Sequence, residues 1–257
     1  MSVSTVNDHV PLVLIRRQAD VVHLVLNQPA RYNVLSSSLL QALDDALVAV
    51  AADPSVRVVV LAAQGKAFCA GHDLRELRQH DTDAFRTDLF RLLTRVCSRL
   101  RQLPQPVVAR VHGLATAGGC QLLLSCDLAI AARSARLGMS GIRLGLYCAT
   151  PAVALSRQVP LKHAFEALAT GDFLDADQAA AYGWVNHAVP DNELDARVEQ
   201  LVQRLRAQPA LALAAGKQLF YRQLQTGIDA AYQMAIPVMA GCFADPETQS
   251  RVDAFLA

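Results

Sequence analysis

The stretch Val58-Val59-Val60-Leu61-Ala62-Ala63-Gln64-Gly65-Lys66-Ala67-Phe68-Cys69-Ala70-Gly71-His72-Asp73-Leu74 decides how this chain is read. An apolar strand runs into a loop of small residues, and the loop opens a helix. The same order returns at Val107-Val108-Ala109-Arg110-Val111, followed by His112-Gly113-Leu114-Ala115-Thr116-Ala117-Gly118-Gly119-Cys120-Gln121. Glycine and alanine let the backbone come close to a ligand, and the first turn of a helix leaves its N–H groups without partners. Two such loops set face to face make a pair of fixed backbone donors, suited to negative charge developing on an oxygen.

Outward from these loops, residues 11–17 and 21–26 alternate across the turn Gln18-Ala19-Asp20 and predict a hairpin. Ser36-Ser37-Ser38 introduces a helix with Leu39, Leu40, Leu43, Leu47 and Val48 expected on one face. A further apolar strand, Leu128-Ala129-Ile130-Ala131-Ala132, follows Asp127. Continuous apolar strands separated by helices predict an α/β chain with a mainly parallel, buried sheet system. From Asp191 onward the pattern is helical, which places a boundary near residue 195 between a core over 11–195 and a helical region over 196–257.

Composition sets the outer bounds. The 257 residues are 53% hydrophobic and 18% charged, enough for a large core and apolar enough to favour oligomerisation. A net charge of +1 without blocks of like charge speaks against nucleic acid or an acidic membrane surface as partner. No apolar run reaches membrane-spanning length. The polar start over residues 1–9 lacks the pattern of a signal or transit peptide, and the six cysteines show no C-x-x-C spacing. Together these predict a cytoplasmic protein with reduced thiols. Gly65-Lys66 lacks the rest of a phosphate-binding P-loop, Gly138-Met139-Ser140-Gly141 is one residue short of a nucleophile elbow, and no G-x-G-x-x-G follows a strand. The histidines have no metal-ligand spacing.

Both loops, with Leu26-Asn27-Gln28-Pro29-Ala30-Arg31-Tyr32-Asn33-Val34-Leu35 upstream, resemble the enoyl-CoA hydratase/isomerase (crotonase) superfamily. The resemblance runs from about residue 13 to 255, and is nearest to an outlying branch typified by enoyl-CoA hydratase domain-containing protein 3. It implies a crotonase (ClpP/crotonase-like) spiral of ββα units, followed by helices that build a trimer or a dimer of trimers. It implies an acyl-CoA thioester as ligand, with no separate cofactor and no metal, and a lyase or isomerase role in fatty acid metabolism. The family's two oxyanion-hole donors match the backbone N–H groups of His72 and Gly118. Arg31 matches a basic position at the nucleotide end of CoA, while Val34, Ala70, Asp73 and Leu74 match the groove around adenine and pantetheine. Relatives continue with a short basic tail that touches a neighbour's CoA; this sequence ends at Ala257 without one, so that contact is not expected.

The resemblance also locates a departure. Hydration of a 2-enoyl-CoA needs one group to activate water and one to protonate the α-carbon, work suited to two carboxylates. The hydratases carry glutamates at the positions matching Gln121 and Gly141, and the isomerases carry an acid where this chain has Ala149. All three positions lack one, and an amide does not shuttle protons near neutral pH. Substitutes are the His72 side chain, Tyr147 after Leu144-Gly145, and carboxylates of the arginine-rich helix around Asp83 and Asp88. The plainer readings are that His72 packs against the following helix, that the acids belong to a solvated face, and that Asp73-Leu74-Arg75-Glu76 is a helix cap. The sequence therefore predicts an acyl-CoA protein that polarises a thioester carbonyl in an oxyanion hole and is doubtful as a hydratase. The alternatives are another enolate reaction, such as decarboxylation or isomerisation, and a non-catalytic acyl-CoA-binding or assembly subunit.

Overall fold

The computed structural model describes residues 10–257; the polar start over 1–9 lies outside them. Strands β1 (Val13–Gln18) and β2 (Val21–Leu26) form the antiparallel hairpin. Parallel to β2 follow β3 (Val58–Ala63), β5 (Val107–Val111), β7 (Leu128–Ala132) and β10 (His187–Val189), giving a six-stranded sheet in the order β1-β2-β3-β5-β7-β10. A second sheet of four short strands runs β4 (Ala67–Cys69), β6 (Leu114–Thr116), β8 (Arg136–Gly138) and β9 (Phe173–Asp175), parallel except for its last pair. β3, β5 and β7 of the first sheet thus each hand the chain to a short strand of the second before a helix begins.

The near-continuous apolar strands are explained by burial on both faces. Val59 and Leu61 of β3 join the main core with helix α1 (Ser37–Ala51), while Val58 and Val60 face helix α8 (Leu194–Arg206) through Leu194, Val198 and Val202. Helix α8 spans the position near residue 195 at which the sequence pattern changes, and it packs on the sheet. Ser36 caps α1 by accepting from the Leu39 N–H at 3.2 Å. Leu39, Leu40, Leu43, Leu47 and Val50 are buried, each burial contributing roughly 1.5–3 kcal/mol. Val48 is exposed: the seam turns through Leu47 to Val50, three residues on, and passes it by.

The arginine-rich helix α3 (Asp83–Gln102) lies against α1, and Arg95 and Arg99 both grip the buried Asp44 carboxylate, at 3.0 and 2.5 Å. Helices α2 (Leu74–Gln79) and α4 (Gly118–Leu124) open directly from β4 and β6. Beyond them come α5 (Ala149–Leu155), α6 (Leu161–Thr170) and α7 (Ala176–Ala181). The chain closes with α9 (Ala210–Gln223), α10 (Ile228–Ala244) and α11 (Pro246–Leu256). Helix α9 is tied to the core by Lys217, whose ammonium sits 2.7 Å from Asp127 and donates to the Leu100 and Gln105 carbonyls. No helix among the described residues is long and apolar enough to cross a membrane.

Candidate active site

The two glycine-bearing loops meet. Gly71 has φ +86, a conformation open to glycine at little cost, and a methyl group there would stand 3.3 Å from the Gly118 nitrogen. Gly119 sits so close to the first loop that a Cβ would fall 2.2 Å from the Cys69 carbonyl oxygen. The first loop is held open by Leu35, which donates to the Gly71 carbonyl (2.8 Å) and accepts from the Asp73 N–H (3.2 Å). In an extended segment, alternate residues address opposite sides, so this pairing turns the intervening His72 N–H away from Leu35. In the second loop Ala117 has φ 50 and ψ −118, which a residue with a Cβ rarely adopts and which costs of order 1–3 kcal/mol. Its own N–H donates to Gly138 (3.0 Å), and the Thr116 hydroxyl bonds Gly138 and Ser140. These straps hold the strained turn and leave the Gly118 N–H at the head of α4. Neither the His72 nor the Gly118 N–H has an acceptor among the described residues.

The His72 ring lies against Gly118 and meets the Phe90 ring edge-on, with centroids 5.0 Å apart. Burial pushes its pKa down to about 4, so the ring is neutral at pH 7, and its Nε2 is buried without a hydrogen-bond partner. Gln121, one turn further along α4, is buried and accepts from the Thr150 hydroxyl at 2.8 Å. With Thr94, Cys97, Arg101, Ser125 and Val153 it lines a pocket of about 160 Å³. Gly141 offers no room for a longer side chain: a Cβ there would lie 2.5 Å from the Leu146 carbonyl and 2.9 Å from the Cys148 sulfur. Ala149 opens α5 and is exposed, and Tyr147 stands half exposed just before it. Asp83 and Asp88 pair with Arg86 and Arg91 on the outer face of α3, so that helix sends neither carboxylate towards the loops. Cys69, Cys120 and Cys148 are buried with thiols raised by desolvation, which keeps them unreactive.

Around the mouth of the first loop, Arg31, Ser36, Ser38, Asp73, Arg75 and His80 line a polar cleft of about 370 Å³. Asp73 accepts from the Arg75 and Glu76 N–H groups and so caps α2, as its sequence context suggests, and its other oxygen pairs with Arg31. Glu76 does not close a capping box. Its carboxylate crosses to the head of α1 and accepts from the Ser37 N–H (2.9 Å) and hydroxyl. Arg31 thus already has a counter-charge, while Arg75, which sequence reasoning passed over, makes no ion pair among the described residues. Leu74 is exposed beside it, and Val34 and Ala70 are partly buried. Asn33, also passed over, is fully buried at φ 52 and joins three segments through Gln28, Gln64 and Ala67, each at 2.8 Å. An asparagine between a proline turn and a helix start was its only signal, since that residue tolerates a left-handed backbone.

Residues 16–256 match the family model described as enoyl-CoA hydratase/isomerase. The chain is 34% identical to enoyl-CoA hydratase domain-containing protein 3, mitochondrial, of Xenopus laevis, over 96% of this chain and 84% of that one. It superposes on a crystal structure of an enoyl-CoA hydratase from Mycobacterium smegmatis with TM-score 0.95 and 50% identity, covering 96% of both chains. The human enoyl-coenzyme A hydratase domain-containing protein 3 structure gives TM-score 0.92 at 33% identity, over 95% of this chain and 97% of that one. The sheet spiral is therefore the crotonase fold, and the chain belongs to the enoyl-CoA hydratase/isomerase family.

Proposed function

We propose that this protein binds an acyl-CoA thioester and holds its carbonyl oxygen between the His72 and Gly118 N–H groups, stabilising an enolate, and that it is not a standard hydratase. One observation carries the reading: two abutting loops, one glycine-hinged and one strained at Ala117, each present an N–H with no acceptor among the described residues. A thioester oxygen gaining charge between such donors is stabilised without reorganisation, and losing one donor of this kind typically costs about 100- to 1,000-fold in rate. The CoA end is assigned to the polar cleft, where Arg75 and Arg31 suit phosphate. Hydration is set aside because Gln121, Gly141 and Ala149 carry no acid. Burial of the adjacent His72 lowers its pKa and leaves it a weak base with no cationic form to protonate carbon near pH 7.

That deficit favours a particular enolate reaction. Loss of CO2 from an α-carboxyacyl-CoA forms the enolate from the electrons of the breaking C–C bond, so no base is needed, and water protonates the carbon afterwards. We also place the chain in the cytoplasm, as a trimer or dimer of trimers built through the helices after α8. Calorimetry with an acyl-CoA, its free acid, and the thioether that lacks the carbonyl tests the site. The thioester should bind best and the free acid worst; equal affinities would remove both the donor pair and the CoA cleft from the account. Crotonyl-CoA should be hydrated negligibly by the same preparation.

A further inference from the structure

The five arginines of α3 are not alike. Arg86 pairs with Asp81 and Asp83, Arg91 with Asp88, and Arg95 and Arg99 with Asp44. Arg101, in the last turn, is partly buried and has no carboxylate partner among the described residues. Its guanidinium lies 5.5 Å from the Tyr221 ring centroid and donates to the Leu124 carbonyl at 3.4 Å. The nearby acid, Asp127, is taken up by Lys217, Tyr221 and the Val107 N–H. A half-buried, permanently charged guanidinium with most of its donors unspent is costly unless an anion meets it.

The pocket that Arg101 lines also contains Gln121 and Ser125. Gly118 and Gln121 of α4, and Ser125 just past its end in the same right-handed conformation, are spaced i, i+3 and i+7, so they lie along one face. At about 1.5 Å per residue, the pocket begins about 5 Å beyond the Gly118 donor and reaches about 10 Å beyond it. Between its ends the walls include Cys97, Val153 and Ala154, which suit methylene groups. Resting on the acyl-CoA reading above, we infer that this pocket receives the distal part of the acyl chain, and that Arg101 selects a chain ending in a carboxylate. The acyl chain then ends in a carboxylate at its far end, in addition to any α-carboxyl group that the enolate reaction uses, and is not a simple fatty acyl chain. A planar guanidinium meets a carboxylate with two parallel hydrogen bonds, which a terminal methyl cannot return.

Suberoyl-CoA and octanoyl-CoA differ only in that terminal carboxylate, and calorimetry on the wild-type protein compares them. Suberoyl-CoA should bind at least about tenfold more tightly, and Arg101→Met should erase that difference between the two thioesters. An unchanged circular-dichroism spectrum and melting transition show that the variant is folded, and Arg101→Lys, which keeps a charge, should restore part of the preference. Equal binding of the two thioesters by the wild type, or a preference that survives Arg101→Met, overturns the inference and leaves the acyl-CoA reading standing. If neither thioester binds, the acyl-CoA reading itself fails and this one with it.

Discussion

At the scale of single residues, His72 and Gly141 carry the chemistry of this site by what they withhold. The His72 ring is neutral when folded, with its pKa pushed by burial from 6.5 to about 4. The unfolded chain therefore binds the extra proton more readily. The stability this contributes is complete above pH 6.5 and is lost as the pH falls towards 4, by at most about 3 kcal/mol. His72→Gln should flatten that part of the profile, read from urea midpoints at pH 7 and pH 5; an unchanged slope would show that the ring titrates normally. At Gly141 the Leu146 carbonyl occupies the space a side chain would take. Gly141→Glu is expected to lower the melting temperature by several degrees and to give no hydratase. Gln121→Glu should fold, because a carboxylate still accepts from Thr150, and raise crotonyl-CoA hydration only slightly without a second acid. Much of this was legible: the small-residue loops and the missing acids stand in the sequence. The strain at Ala117 was not, because nothing in an alanine announces a positive φ; the strap to Gly138 imposes it.

Among the elements, length decided what could be read in advance. β3, β5 and β7 announced themselves as apolar runs, because burial on both faces leaves no alternation to interpret, while β1 and β2 were read from the alternation of a hairpin. β4, β6, β8, β9 and β10 have three residues each, too few for any period, and their pairing is visible only once the loops are seen to stack. The α1 face was read one position out at Val48 because helix periodicity alone does not say where a neighbour ends. Least legible of all was the anchor of α9, since Lys217 and Asp127 are 90 residues apart in sequence. Desolvation lowers the Lys217 pKa and raises that of Asp127, and the pair offsets this by direct contact and full hydrogen bonding. Lys217→Met should cost about 3–5 kcal/mol by stranding a buried carboxylate, and adding Asp127→Asn should recover part of it. A double variant as unstable as the sum of the two singles would show that the groups do not act as a pair.

For the whole molecule, the outstanding feature is the apolar surface left by α10. Ile228, Tyr232, Ile236, Met239 and Phe243 are all exposed, Met239 at 78%, at helical spacing along one side. Such a stripe is the surface the proposed assembly would bury. Light scattering should give a trimer or hexamer at micromolar concentration, and Ile236→Glu with Met239→Glu should shift it to the monomer. A monomeric wild type would contradict the proposed assembly. Assembly and site geometry both serve the central claim, that a thioester carbonyl is held between two backbone donors and charged there as an enolate. Acetoacetyl-CoA tests this most directly, because its enolate absorbs in the near ultraviolet where the keto form does not. At saturation, the difference spectrum on mixing it with the wild-type protein should show the enolate band at a pH where the free thioester shows little. Saturable binding with an unchanged spectrum would mean that the His72 and Gly118 donors do not stabilise the anion.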